Sequence, residues 1–230
     1  MKRRHNAVLA AMVTSLVWAT AACGGDSGES AAPRATSSAE GRKLCGGAVD
    51  EAAHQALALL TGTAELHPTD DDENARTTAD ALIAGWSPLS SPPLSRDTHP
   101  LCSVSTEENY GNGPGDVRIR FQLSDAAQAK DDGDIAKSLE RYEMGVRASM
   151  GTERAYVWFS CKSAKLPGSD QDPAYVLGEV ENRRAPKGDE GKLRDANATL
   201  LHSTSRAVAR ELGCEADAGL KAKPVLKHSG

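Results

Sequence analysis

Apolar residues recur at helical spacing over Val49, Ala52, Ala53, Ala56, Leu57 and Leu60, and Gly62 stands where such a helix would stop. Residues 73–86 carry a weaker stripe of the same period, made of Ala75, Ala79, Leu82, Ile83 and Trp86. Four prolines between residues 87 and 100 then enforce a loop. The period changes to two at Cys102, Val104 and Thr106. It continues at Val117, Ile119, Phe121 and Leu123, with Arg118, Arg120 and Gln122 between them. The glycine-rich stretch 110–116 (YGNGPGD) joins these two strands as a hairpin rather than cradling a phosphate, since it lacks the Lys-Ser/Thr ending of a phosphate loop. Residues 134–146 fit both periods. Gly145 would weaken a helix interior, so a short helix is expected first and a strand from about Tyr142 to Met150. A turn at 151–154 leads into residues 155–161 (AYVWFSC), apolar on both faces as a central strand would be. Residues 174–181 form a fifth strand. A long amphipathic helix follows on Leu193, Ala196, Leu200, Leu201, Thr204, Val208 and Leu212, and Gly213 ends it.

Helices segregated from a run of hairpin-linked strands predict an α+β fold. The expected sheet is antiparallel, with about five strands and with the N-terminal helices and the C-terminal helix packed on one face. One domain is expected over residues 45–214, followed by a flexible tail at 215–230 that contains Pro224.

The N-terminus has a separate pattern. Lys2, Arg3 and Arg4 precede an apolar run from Ala7 to Trp18, broken only by Thr14 and Ser15, and then the small residues Ala19 to Ala22. This is the pattern of a secretory signal peptide over residues 1–22, too short to span roughly 30 Å of hydrocarbon. Ala19-Thr20-Ala21 fits an ordinary signal-peptidase site, which would place the cut before Ala22. Thr20-Ala21-Ala22-Cys23 resembles the lipobox of bacterial lipoproteins, although that pattern usually has Leu where this chain has Thr20. Residues 24–42 are small, polar and aperiodic, so residues 23–44 read as a flexible tether.

The cysteine count bears on the choice between the two cleavage sites. The chain has five cysteines, Cys23, Cys45, Cys102, Cys161 and Cys214. Export leads to an oxidising compartment, where an unpaired thiol is usually avoided. Acylation of Cys23 would leave four, enough for two disulfides with three connectivities open. Cys45 before the first helix and Cys214 after the last could clasp the ends, which would leave Cys102 with Cys161. No C-x-x-C pair is present, so zinc is not expected.

Removal of residues 1–22 takes away three positive charges and no acids, moving the formal net charge from −5 to −8. Such a domain repels phosphate backbones, so no nucleic-acid partner is expected, and membrane attachment would rest on the acyl chains. The acidic run 69–74 (TDDDEN) lacks the order and glycine of an EF-type calcium loop and reads as the acidic start of the second helix. The motifs H-E-x-x-H, G-x-S-x-G and S-x-x-K are absent. His54, His67, His99, His202 and His228 are scattered. His54 and His202 each lie one position off an apolar stripe, as surface or boundary residues would. Asn197-Ala-Thr199 matches a glycosylation acceptor but sits on the predicted helix. Arg118 and Arg120 could grip an anion together, but alternate positions on the solvated face of a sheet explain them as well.

The signal peptide, Cys23, the tether and the four-cysteine α+β domain together resemble the secreted lipoproteins of actinobacteria, streptomycete-like in composition. The resemblance implies a chain lipid-anchored at Cys23 on the outer face of the cytoplasmic membrane, and it carries over no other functional residue. Without a catalytic motif, metal or cofactor signature, the sequence favours a non-enzymatic binding or interaction module of the cell envelope, taking an envelope protein or a small molecule. The alternative is a cell-envelope hydrolase with catalytic residues dispersed along the chain.

Overall fold

The computed structural model describes residues 44–70, 72–87, 97–131 and 139–227. The signal peptide, Cys23, the tether up to residue 43, most of the proline loop, most of the expected short helix after residue 134, and His228 lie outside the described residues.

The architecture is α+β, with one antiparallel sheet of seven strands rather than five. In chain order the elements are α1 (Glu51–Thr61), β1 (Leu66–Pro68), α2 (Ala75–Gly85), β2 (His99–Thr106), β3 (Val117–Ser124), α3 (Ala126–Lys130), β4 (Glu140–Tyr142), β5 (Arg147–Met150), β6 (Arg154–Cys161), β7 (Ala174–Asn182) and α4 (Glu190–Leu212). The strand order is β1-β2-β3-β7-β6-β5-β4. Two differences account for the count. β1 has only three residues, too few to show an alternation, and it is recruited by pairing Leu66–Pro68 with Thr106–Val104. The expected strand from Tyr142 to Met150 is folded into β4 and β5, a hairpin whose turn contains Gly145 at φ +59°. A side chain at Gly145 would collide with the Trp158 carbonyl, so the alternation of Met144 and Val146 is interrupted by backbone geometry.

α2 packs against β2 and β3 and α4 against β5, β6 and β7, and α4 also packs against both α2 and α1. Each is punctuated by its own residues. The Asp50 carboxylate accepts from Ala53 N at the start of α1, and Gly62 closes it in the left-handed region with its N–H donating to Ala58 O. Asn74 and Thr77 form a capping box for α2, so Asp70, Asp72 and Glu73 precede the helix rather than occupying its first turn. Asp189 and Gly213 bracket α4. The strands facing these helices supply Val117, Ile119, Phe121, Val157, Phe159, Val176 and Val180 to a single core with Leu57, Leu82, Leu200 and Leu201. Each fully buried side chain of this kind contributes about 2 kcal/mol of apolar transfer energy. The opposite face holds a small cluster of Tyr156 and Trp158 with Ala129 of α3, which explains why β6 reads as apolar on both sides.

The disulfides join Cys45 to Cys102 and Cys161 to Cys214. The expected clasp of Cys45 to Cys214 does not form. The residues after α4 meet the chain leaving β6: Glu215 N donates to Lys162 O at 2.9 Å and Ser163 Oγ to Leu212 O at 2.6 Å. Cys45, in the 3₁₀ turn Leu44–Gly47, meets β2 instead.

Residues 215–227, expected as a frayed tail, lie along α4 and the β4–β5 hairpin. Arg206 donates to Ala222 O at 2.8 Å, and Glu143 N donates to Lys227 O at 3.1 Å. His202, expected at the boundary, is 3% exposed beneath this segment, and its Nε2 lies 2.9 Å from Lys221 O. Because a carbonyl only accepts, Nε2 carries the proton. Burial, followed by the Arg206 charge, outweighs that bond and lowers the His202 pKa from its usual 6.5. The unfolded chain therefore takes up this proton first. Its contribution to stability is complete above about pH 6.5 and is lost as pH falls below that value. A scan of melting temperature from pH 7.5 to 5.5 should show this fall, and His202→Gln should flatten it.

Candidate functional site

At one end of the sheet, the C-terminal turn of α1, the segment after β2 and the loop after β7 enclose a groove of about 540 Å³. That volume lies within the range of small-molecule sites. Its wall includes Leu59, which is 44% exposed although it sits on a core-forming helix. Pro186 and Ala185 face it from the β7 side, and Val117 and Asn182 line its floor.

Asp116, at the start of β3, organises the polar side of the groove. Its carboxylate accepts from Thr106 N at 2.9 Å, from Thr106 Oγ1 at 3.0 Å and from Asn109 Nδ2 at 2.9 Å, and Arg184 Nε lies 3.2 Å away. Arg184 also donates to Asn109 Oδ1 at 2.6 Å. Burial alone would raise the Asp116 pKa. The Thr106 N–H, the Asn109 amide, the Thr106 hydroxyl and the Arg184 charge reverse this and hold it below its usual 3.8. The network fixes the segment after β2 against the loop after β7, so it keeps two walls of the groove in register. Asp116→Ala leaves three protein donors without their acceptor and should cost about 3 kcal/mol in urea unfolding. The depressed pKa places the wild-type contribution above about pH 3.8, with loss as pH falls below it.

A second cleft, of about 380 Å³, opens between the β4–β5 turn, His202 and residues 219–225. It carries Arg141, Arg147, Lys221 and Lys223, while its one acid, Glu143, is paired with Lys227 at 2.8 Å.

Arg118 and Arg120 sit elsewhere, on the sheet face opposite the large helices. Arg120 is 3.2 Å from Glu179 and 3.3 Å from Glu181; Arg118 is 3.9 Å from Glu181 and donates to Pro114 O at 3.0 Å. The register explains this, because Arg118 opposes Glu181 and Arg120 opposes Glu179 across β3 and β7. Both guanidiniums are thus engaged by carboxylates of the same face. No known protein family, characterised protein or solved structure matches this chain.

Among the described residues, no group of three or more His, Cys, Asp or Glu could hold a metal ion. The acids at 70 and 72 instead shape a turn, with Asp72 N donating to Asp70 Oδ1 at 2.9 Å. Among the described residues, His202 meets the Lys221 carbonyl, and His67 Nε2 lies 2.7 Å from Glu107 while its ring packs on Tyr110 at 4.8 Å between centroids. Asn197 of the glycosylation-like triplet is fully buried and bonded to Gly151 O at 2.8 Å, so its amide is not available to a transferase in the folded chain.

The residues that build the groove, Leu59, Asn109, Asp116, Asn182 and Arg184, were not singled out by sequence. They come from three separate segments and share no spacing. The one signal was Leu59, an apolar residue off the stripe of α1.

Proposed function

We propose that the protein is an extracytoplasmic binding module, lipid-anchored through Cys23 on the outer face of the bacterial cytoplasmic membrane, with the groove beside Asp116 as its ligand site. The observation that carries this reading is the cysteine account. Cys45 pairs with Cys102 and Cys161 with Cys214, which makes Cys23 the odd one of the five cysteines. Two disulfides suit an oxidising compartment, and a leftover cysteine directly after a signal-peptide pattern suits acylation. A preformed groove with a rigid polar wall supports binding. The hydrolase alternative would need a histidine at a nucleophile, and the His67 and His202 contacts provide none.

Intact mass spectrometry of the membrane-extracted chain tests the reading. The expected product begins at Cys23, carries acyl mass and gains two hydrogens per bridge on reduction. An unmodified chain beginning at Ala22 would refute the anchor.

A further inference from the structure

The second cleft combines positive charge with exposed apolar surface. Residues 219–227 contain three lysines and no acid. Lys221 and Lys223 line the cleft and are exposed, and Arg141, also exposed, lines it from β4. The Arg147 guanidinium belongs instead to the other face of the sheet, where it lies 4.2 Å from the centroid of the Trp158 ring. Glu143 in the cleft and Asp217 just before it are engaged by Lys227 and Arg206, each at 2.8 Å. Among the described residues, four large hydrophobic side chains are exposed, and two of them belong here. Val146, 45% exposed, lines the cleft, and Leu226, 44% exposed, follows Val225 of its wall. Cations set beside exposed apolar side chains suit the interface of a membrane, where headgroups meet hydrocarbon.

The position of the cleft on the domain favours the same partner. Ser203, which follows His202 in α4, donates to Ala48 O at 2.9 Å and accepts from Asp50 N at 3.2 Å. One stretch of α4 therefore holds both the start of the domain and a wall of the cleft. The 21 residues from 23 to 43 separate that start from Cys23. A coil of that length averages about 25 Å end to end. An anchor in the bilayer would thus keep the cleft within reach of lipid headgroups, at a local concentration where weak contacts suffice. We propose that the cleft docks on the anionic phospholipid surface in which the chain is anchored. Lys221 and Lys223 meet headgroup phosphates, and Val146 and Leu226 reach the acyl boundary. The inference rests on the anchor reading, and it gives the domain a second membrane contact with one preferred face toward the bilayer. Each lysine near such a surface contributes roughly fivefold in affinity.

The test is hydrogen–deuterium exchange of the full mature chain in two kinds of vesicle. One is phosphatidylcholine alone, and the other contains about 30% phosphatidylglycerol, which supplies the anionic surface. Exchange at residues 142–147 and 219–227 is expected to be at least about threefold slower in the anionic vesicles, with residues 106–109 at the other cavity unchanged. The difference should shrink in about 0.5 M salt, which screens exposed charges. Lys221→Gln combined with Lys223→Gln, both at exposed positions, should remove at least half of the slowing without moving the melting temperature. Equal exchange in the two kinds of vesicle would overturn the inference, and so would slowing that survives the double substitution or the salt. Slowing that grows with protein density in phosphatidylcholine alone would assign the cleft to a second copy of the chain, and would overturn it as well. The two readings fail in different ways. An intact mass without acyl groups refutes the anchor, whereas an acylated chain with equal exchange in both vesicles refutes only the docking.

Discussion

Proteolysis of the non-reduced protein is expected to release two cross-linked peptide pairs, one joining Cys45 to Cys102 and the other Cys161 to Cys214, and reduction of both bonds is expected to unfold the domain near body temperature. The bridges close loops with sequence separations of 57 and 53 residues. Chain-entropy arguments give each roughly 4 kcal/mol of stabilisation, acting through the unfolded state. Together that approaches the roughly 5–15 kcal/mol by which a typical domain is stable at all. The single-bridge variants should therefore fold with clearly reduced midpoints, and the variant lacking both should not fold cooperatively at 37 °C. A peptide containing Cys45 linked to Cys214 would contradict the arrangement of the two layers described above. Unchanged cooperative unfolding after full reduction would show that the helical layer and the sheet hold together without covalent help.

The second large effect concerns Phe121 and Gly178, which face each other across β3 and β7. A β-carbon on Gly178 would lie 2.7 Å from Phe121 Cε1 and 3.3 Å from Leu201 Cδ1. The phenyl ring occupies the space that a side chain would need, at the place where α4 presses on the middle of the sheet. Phe121→Ala should cost about 3–5 kcal/mol, since it removes a fully buried ring and leaves a cavity beneath α4. Gly178→Ala overpacks the same space and should cost about 1–3 kcal/mol. The informative experiment combines Phe121→Leu with Gly178→Ala. The smaller side chain vacates room for the new methyl, so the double variant should be more stable than the sum of the singles by at least about 0.5 kcal/mol. Strict additivity in urea unfolding would mean that the ring does not lie over the glycine.

Much of the fold was legible because periodicity reports burial on one face. The stripe of α4 and the alternation of Val117 to Leu123 survive intact, as do the stops at Gly62 and Gly213. The α1 stripe is kept at Ala53, Ala56, Leu57 and Leu60 but not at Ala52, which is exposed, and Val49 is buried ahead of the helix. What was not legible depended on neighbours distant in sequence. β1 exists only because β2 offers it an edge, and the β4–β5 break at Gly145 is imposed by the Trp158 carbonyl. The cysteine pairing followed the crossing of α4 over β6, which no spacing encodes. His202 was misplaced for a related reason: its helix face is covered by residues 215–227, a segment whose composition suggests no docking. The groove was the least legible part. Arg118 and Arg120 stood out as a charged pair, yet register places Glu181 and Glu179 against them. Asp116 and Asn182 acquire their roles only when the ends of β3 and β7 are brought side by side.

The Cys45–Cys102 bond also decides how the domain bears load. Any pull transmitted along the chain from before residue 44 reaches Cys45 before it reaches α1. The covalent link passes the force into β2, a strand hydrogen-bonded between β1 and β3. α1, which would otherwise be peeled away turn by turn from its N-terminus, stays outside the line of tension. The first described residues thus act as a mechanical shunt: cleaving this one bond would redirect the pull into the helical layer, and the domain would yield at a much lower force.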